Sequence, residues 1–176
     1  MLGEIRDQET AEIALKAAIT GHLVLSTLHT NNAIQTPLRL VDMGVAPYLC
    51  ASAIKAVIAQ RLIRKVCHHC KKNKDPEPWL IELFPKAKDH DFYEGEGCHY
   101  CNQTGYLGRV GVYEILEFNH ELSEALRKPG SEHFVNEASK VDSYRPMSQS
   151  AFELAKQGIT SLLEVAKITE SVDDWQ

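Results

Sequence analysis

Four of the five cysteines fall into two Cys-x-x-Cys pairs, Cys67/Cys70 and Cys98/Cys101. Two thiolates three residues apart can grip one ion from a single turn. Two such pairs supply the four ligands of a closed, tetrahedral, structural Zn²⁺ site. The 27 residues between Cys70 and Cys98 exceed the usual ribbon spacing, so a sizeable loop must leave and return. Four free or partly buried thiols are the plainer alternative. Redox chemistry is more distant, because no thioredoxin-like unit surrounds either pair. His68, His69 and His99 lie inside the pairs and are expected to point away from the ion. Cys50 sits on an apolar stretch and reads as a small core residue.

A second chemistry starts at the first residues. Glu4 follows Met1, Leu2 and Gly3, which reads as the end of an apolar strand that delivers a carboxylate. Alone this is weak, since an acid after two apolar residues is usually a surface acid. His22 and His29 bracket the apolar run HLVLSTL, which reads as a short buried parallel strand over 22–28.

The elements that must position these groups follow from periodicity. Ala11, Ala14, Leu15 and Ala18 predict a helix over 8–20, with Asp7 as N-cap and Gly21 as its stop. Thr30–Asn32 cap a second helix that turns Ile34, Leu38 and Val41 inward and ends at Gly44, with Pro37 early enough to be tolerated. Pro47 starts a third helix, predicted to run to about Ala59 with Cys50, Ile54, Val57 and Ile58 on one face. Residues 71–97 read as a charged loop holding a short helix around Trp79, Leu80, Ile81, Leu83 and Phe84. Tyr106–Phe118 alternates and reads as a hairpin or strand pair. Helices are predicted at 121–128, 131–140, 147–157 and 161–168. Gly158 stops one, and Ser161 with Glu164 forms a capping box for the last. The final residues VDDWQ are expected to fray.

The 176 residues are 44% hydrophobic and 24% charged, a globular composition. The net charge of −5 argues against a whole-chain basic nucleic-acid binder. No run approaches the roughly 18 apolar residues of a membrane span. The acidic start MLGEIRDQETAEI is unlike an export signal, so thiols in a reducing compartment read as metal ligands before disulfides. Charge is unevenly spread: residues 1–54 carry −2, residues 55–74 carry seven Lys/Arg and no acid, and the remainder carries −10. The basic stretch reads first as a solvated face that offsets a Cys₄ site, and second as a patch for a partner, phosphate or membrane surface.

The string GEIRDQETAEIALKAAITGHLVLSTLHTNNA is followed in order by RLVDMGV, AQRLIRKVC, the two cysteine pairs, GCxxCxxTGYxGRxGVYEIL and, at Gly158–Val165, GxTSxxEV. This succession resembles the secretion ATPases of type II secretion and type IV pilus assembly over nearly the whole chain. The tetracysteine element places the likeness in the extension and secretion branch rather than among retraction motors, and nearest to pilus-biogenesis ATPases of the mannose-sensitive-haemagglutinin type. The resemblance implies an α/β fold: the C-terminal half of a RecA-like P-loop NTPase core over 1–66, a tetracysteine zinc-binding element over 67–106, and a β-hairpin with a helical C-terminal subdomain over 107–176. Glu4 matches the Walker B acid, thought to polarise water and help hold Mg²⁺. Arg6 and Asp7 complete that string, with Arg6 on the nucleotide side. His22 and His29 match the two positions of the His box. Ligands of open parallel sheets bind at the carboxyl ends of strands. That places His29 with Glu4 near the γ-phosphate, Thr27 and Thr30 nearby, and His22 at the opposite edge. The family further implies ATP and Mg²⁺, a hexameric ring, an inner-membrane platform protein as partner, and a cytoplasmic location without membrane insertion.

The departures matter as much. The chain contains no G-x-x-x-x-G-K-[ST], the loop that cradles phosphates. The family's acidic box and arginine fingers are also missing, and the Walker B strand is reduced to two apolar residues. The chain therefore reads as a C-terminal fragment, expected neither to bind ATP tightly nor to hydrolyse it. A zinc-ribbon module for nucleic acid is the alternative of a different class. Net acidity and the lack of an aromatic stacking set beside the basic residues count against it. A structural adaptor with a degenerate NTPase half is the third reading.

Overall fold

The structure is a computed structural model and describes residues 1–169. The expected frayed end at 172–176 lies outside them. In chain order the elements are α1 (Gln8–Ile19), α2 (Gln35–Asp42), α3 (Pro47–Ala53), β1 (Ala56–Val66), β2 (Lys71–Asn73), α4 (Pro78–Leu83), a 3₁₀ turn (Pro85–Asp89), β3 (Tyr93–Gly95), a second 3₁₀ turn (His99–Cys101), β4 (Tyr106–Glu117), α5 (His120–Arg127), α6 (Ser131–Ala138), α7 (Met147–Lys156) and α8 (Leu162–Ala166). The chain forms two compact units. One is Met1–Ala59 with Glu114–Tyr144; the other is Gln60–Tyr113 with the segment from Arg145 onward.

The first unit begins with a β-α-β crossover. Residues 2–5 pair in parallel with residues 25–27 through Leu2 N–H to Leu25 O and Ile5 N–H to Thr27 O, both 2.9 Å. Between them α1 starts on Asp7, whose carboxylate accepts the Thr10 amide at 2.8 Å. It ends where Gly21 takes φ +99°, a conformation that favours glycine. Ala11 and Ala14 are buried, and α1 packs on α3 across them. The core of this unit joins Ile5, Leu40, Val45, Leu49, Leu122 and Phe134. Cys50 lies fully buried among them, as a small core residue.

Two expectations fail here. The 22–28 segment is extended, but Leu23 is 86% and Leu25 58% exposed, so it is not a buried strand. An apolar run signals a strand that can be covered; it does not supply the cover. The third helix also stops at Ala53, because Ile54 leaves the helical region (φ −69°, ψ 129°). Ile54, Val57 and Ile58 mimic a helical stripe, yet these β-branched residues, with Ile63 and Val66, also suit extended backbone. The segment Ala56–Val66 becomes β1.

A third expectation is corrected as well. Tyr106–Glu117 is one long strand, β4, and it pairs with β1 instead of folding on itself. The bonds Phe118 N–H to Lys55 O and Cys67 N–H to Gly105 O, each 2.9 Å, show the two strands antiparallel. Gly108 takes φ +77° without breaking the strand.

In the second unit β2 and β3 are antiparallel, with Lys71 opposite Gly95 and Asn73 opposite Tyr93. The island expected around α4 is present, but only Leu80 and Phe84 of its large side chains are buried, and Trp79 is exposed. Phe84 and Phe92 pack on Phe152 of α7 at ring-centroid distances of 5.9 and 5.6 Å. The α7 helix ends at Gly158, which takes φ +66°. Among the described residues no helix is long and apolar enough to cross a membrane.

Candidate functional site

The parallel crossover brings the chemistry of the first unit to one strand end. Glu4 is the bridge residue opposite Thr27, and the chain then carries His29 just past the end of the second segment. His29 Nε2 lies 3.1 Å from Glu4 Oε1. Arg6 Nη2 holds the other oxygen, Glu4 Oε2, at 2.8 Å. This Arg6 hydrogen bond is the main cause that lowers the Glu4 pKa, against a smaller opposing effect of burial; the charges of Arg6 and His29 add to it. The carboxylate is thus ionised and bracketed by two nitrogen groups, while the His29 side chain is 88% exposed. A carboxylate and an imidazole so placed can hold a hydrated cation or orient a water. Ser26 Oγ donates to Gly3 O at 2.6 Å and ties the two segments beside the pair.

His22 lies at the other end of the segment, on the order of 20 Å from His29 at the rise of extended backbone. Its Nδ1 is 3.3 Å from Thr20 Oγ1, at the end of α1. Thr27 sits at the bridge to Glu4. Thr30 turns inward, its hydroxyl 2.7 Å from that of Thr36.

The turn that follows His29 is pinned at several points. Asn32 Oδ1 accepts the Gln35 amide at 2.9 Å, as a capping residue does. Thr36 Oγ1 donates to Asn32 O at 3.1 Å. Glu114 of β4 accepts the Ala33 amide at 2.8 Å and the Tyr144 hydroxyl at 3.0 Å. Glu114 is 3% exposed. Sequence reasoning missed it, though a signal existed: in GVYEIL an acid occupies the buried face between Val112 and Leu116.

The four cysteines converge in the second unit. Sγ–Sγ separations are 3.8 Å for Cys67/Cys98, 3.9 Å for Cys70/Cys101 and 3.7 Å for Cys98/Cys101, and all four atoms lie within 4.8 Å of one another. Thiolates bonded to Zn²⁺ at about 2.3 Å in a tetrahedron stand about 3.8 Å apart. The donor set and its spacing therefore fit a metal ion. The antiparallel pair explains how so long a gap closes. β2 leaves directly after Cys70, and β3 returns to deliver Cys98. Gly95 and Gly105 touch backbone to backbone, where a Cβ on either would collide with the backbone of the other. Burial pushes the Cys101 thiol up. The amides of Cys98 and Gly105, at 3.2 and 3.3 Å, more than offset this and pull it down to about 6. Burial and the three neighbouring sulfurs push Cys70 up to about 12.

The intervening histidines do point away. His68, His69, Tyr100 and His99 form an exposed ladder of rings, with successive centroids 3.9, 3.8 and 3.9 Å apart. This ring set beside the basic stretch was not visible in the sequence, where its members lie in two distant segments. The basic residues themselves are largely engaged. Lys72 pairs with Glu96 at 2.8 Å, Lys74 with Glu94 at 2.6 Å, and Arg64 with Glu164 at 2.8 Å. Lys71 lies over the Tyr93 ring, 4.2 Å from its centroid. These pairs leave less free charge for a partner patch than the sequence suggested.

The tail signature at 158–165 is a clasp on β1. Thr160 Oγ1 donates to Arg64 O at 2.8 Å, and Ile159 O accepts the Val66 amide at 2.9 Å. Glu164 accepts from the Arg64 amide at 3.1 Å, from its guanidinium at 2.8 Å and from Lys167 at 2.7 Å. Ser161 Oγ accepts the Glu164 amide at 3.3 Å, one half of the expected capping box. The Glu164 carboxylate serves Arg64 and Lys167. Burial alone would raise its pKa, but the Arg64 and Lys167 hydrogen bonds bring it down to about 2.

The parallel β-α-β crossover, with an acid and an imidazole at its carboxyl end, is an α/β arrangement, and the solved structures that share it are RecA-like ATPases. The pilus retraction motor PilT with bound ADP superposes with a TM-score of 0.63 at 27% identity, over 96% of this chain and 38% of that one. The ATPase DotB of Yersinia pseudotuberculosis superposes with a TM-score of 0.64 at 22% identity, over 96% and 36%. The family model described as "Type II/IV secretion system protein" matches residues 1–167, and the chain belongs to that family. The type IV pilus assembly ATPase PilB of Pseudomonas aeruginosa is 45% identical over 174 residues, 97% of this chain and 31% of that protein. The type II secretion system ATPase E of Vibrio cholerae is 40% identical over 172 residues, 97% of this chain and 34% of that protein. The chain spans about a third of the length of these curated relatives.

Proposed function

We propose that this chain is the water-activating and zinc-bearing part of a cytoplasmic ATPase that powers type IV pilus assembly or type II protein secretion. The observation that carries the reading is the Glu4–His29 contact of 3.1 Å at the strand end, where a parallel α/β sheet holds its ligand. Glu4 would help hold Mg²⁺ and polarise the attacking water. Arg6 holds Glu4 by a hydrogen bond and would keep it ionised on the nucleotide side, and His29, beside Glu4, would serve the γ-phosphate. His22, at the far end, would act structurally or toward a neighbouring subunit.

Cys67, Cys70, Cys98 and Cys101 would hold a structural Zn²⁺ that contributes folding energy and no catalysis. In functional terms 1–66 is the part of the ATPase core, 67–106 the zinc element and 107–176 the strand and helical tail. This division follows motifs, whereas the compact units follow contacts. In the whole protein, hydrolysis would drive motion between protomers of a hexameric ring. That work would pass to an inner-membrane platform protein, with the ATPase peripheral to the membrane through partners. Nucleic acid is not expected as a ligand: the exposed rings favour stacking, but the ion pairs of Arg64, Lys72 and Lys74 reduce the charge that phosphate binding needs.

The 176 residues lack the phosphate-cradling loop, so they are expected neither to bind ATP tightly nor to hydrolyse it. Steady-state ATP turnover by the 176-residue chain tests this. The expected result is background turnover. Turnover above background that Glu4→Gln abolishes would overturn it.

A further inference from the structure

Glu114 is a carboxylate 3% exposed in the first unit, 81 residues in sequence from the amide it holds. Burying a carboxylate costs several kcal/mol unless hydrogen bonds compensate, so such a group is kept where its bonds matter. Its Oε1 accepts the Ala33 N–H at 2.8 Å and the Tyr144 hydroxyl at 3.0 Å. Ala33 is itself fully buried and lies four residues after His29. The intervening turn is closed on the other side by Thr30 to Thr36 (2.7 Å), Thr36 to Asn32 O (3.1 Å) and Gln35 to Asn32 (2.9 Å). These bonds tie the turn to α2, the helix that it enters. Glu114 ties it to β4, a different element. The His29 side chain, by contrast, is 88% exposed and pairs with Glu4.

We propose that Glu114 is a positioning residue, the buried anchor that fixes the turn after the second parallel segment and so sets where the His29 imidazole stands relative to Glu4. A charged acceptor forms a shorter and stronger bond to a backbone amide than a neutral one. The role rests on the proposed part of His29 in hydrolysis, but the placement itself can be read without any hydrolysis.

The test is a ¹H–¹⁵N NMR comparison of the 176-residue chain with Glu114→Gln, Glu114→Ala and Tyr144→Phe, reading the Ala33 amide and the His29 and His22 imidazoles. His22 is the internal control, since its contact is to Thr20 at the far end of the segment. The expected result is that Glu114→Ala moves the Ala33 amide and the His29 ring resonances together while His22 stays in place. Glu114→Gln, which keeps an oxygen acceptor, and Tyr144→Phe should give smaller shifts in the same direction. If Glu114→Ala does not fold, the two milder variants carry the same comparison. His29 resonances that stay put while the Ala33 amide moves would overturn the proposal. In the polypeptide encoded by the whole gene, Glu114→Gln should lower kcat for ATP about tenfold or more, with KM within about twofold, as a displaced reacting group does. A raised KM with unchanged kcat would also overturn it. Absence of ATPase activity in that unmutated polypeptide would defeat the proposed function, yet leave the coupling of Glu114 to His29 readable by NMR.

Discussion

His29 Nε2 stands 3.1 Å from Glu4 Oε1, and the two residues reach that distance through one β-α-β crossover. The helix between them spans Gln8–Ile19, so a single-helix crossover returns the chain in parallel and leaves both groups at the same strand end. Everything proposed about nucleotide chemistry in this chain depends on that contact.

The zinc site is tested by ligand removal. Changing Cys98→Ser and Cys101→Ser together should lower the zinc content and the Tm in step, because a structural metal contributes its binding energy to folding. Metal analysis of the purified variant beside its melting curve makes the comparison. Unchanged zinc stoichiometry would remove the site from the account.

The close approach of Gly95 and Gly105 gives a second test of the same element. Gly105 has φ +76°, and an added Cβ there would meet the Gly95 backbone. Gly105→Ala should therefore destabilise the chain by more than about 1 kcal/mol, the range expected where alanine does not fit the native backbone. Chemical denaturation of the zinc-loaded protein measures it. Serine at exposed Gly3, which has open space around it, should be close to neutral and serves as the control.

The Glu164 clasp predicts a pH dependence. The folded carboxyl group has a pKa of about 2 against an ordinary value of 4.5, so the folded state binds its proton less readily than the unfolded one. The stability it contributes is fully present above about pH 4.5 and is lost as pH falls toward about 2. That contribution is about 2 kcal/mol once the exposure of Arg64 is allowed for. Equilibrium unfolding between those pH values, compared with Glu164→Gln, should show the difference between the two proteins shrinking as the pH drops. A difference independent of pH would show that the pairing with Arg64 does not act through charge.

Much of this was legible in the residues, and the rest was not for identifiable reasons. The cysteine spacing located all four sulfurs, because a Cys-x-x-Cys pair carries its geometry locally. The Asp7 cap and the Gly21 stop held for the same reason. The Ile54–Ile58 stretch misled, since apolar residues three and four apart suit a helix until strand pairing with β4 decides otherwise. The exposure of Leu23 and Leu25 was invisible because hydrophobicity says what a side chain prefers, and not what covers it. The alternation in GVYEIL could mark Glu114 as buried, but its bonds to Ala33 and Tyr144, like the ring ladder at His68, His69, Tyr100 and His99, depend on contacts between distant segments, which no local pattern encodes. The tail signature was recognised as a string, but its action as a clasp on Arg64 appeared only in three dimensions.

The most direct test of the central claim is ATP hydrolysis by the polypeptide encoded by the whole gene, measured with Glu4 intact and with Glu4→Gln. The substitution keeps the side-chain shape and one oxygen acceptor while removing the charge that would polarise water. The account predicts at least an about hundredfold fall in kcat with ATP binding retained, the loss expected when a positioned acid–base group is removed. A Glu4→Gln protein that hydrolyses ATP at the unmutated rate would contradict it.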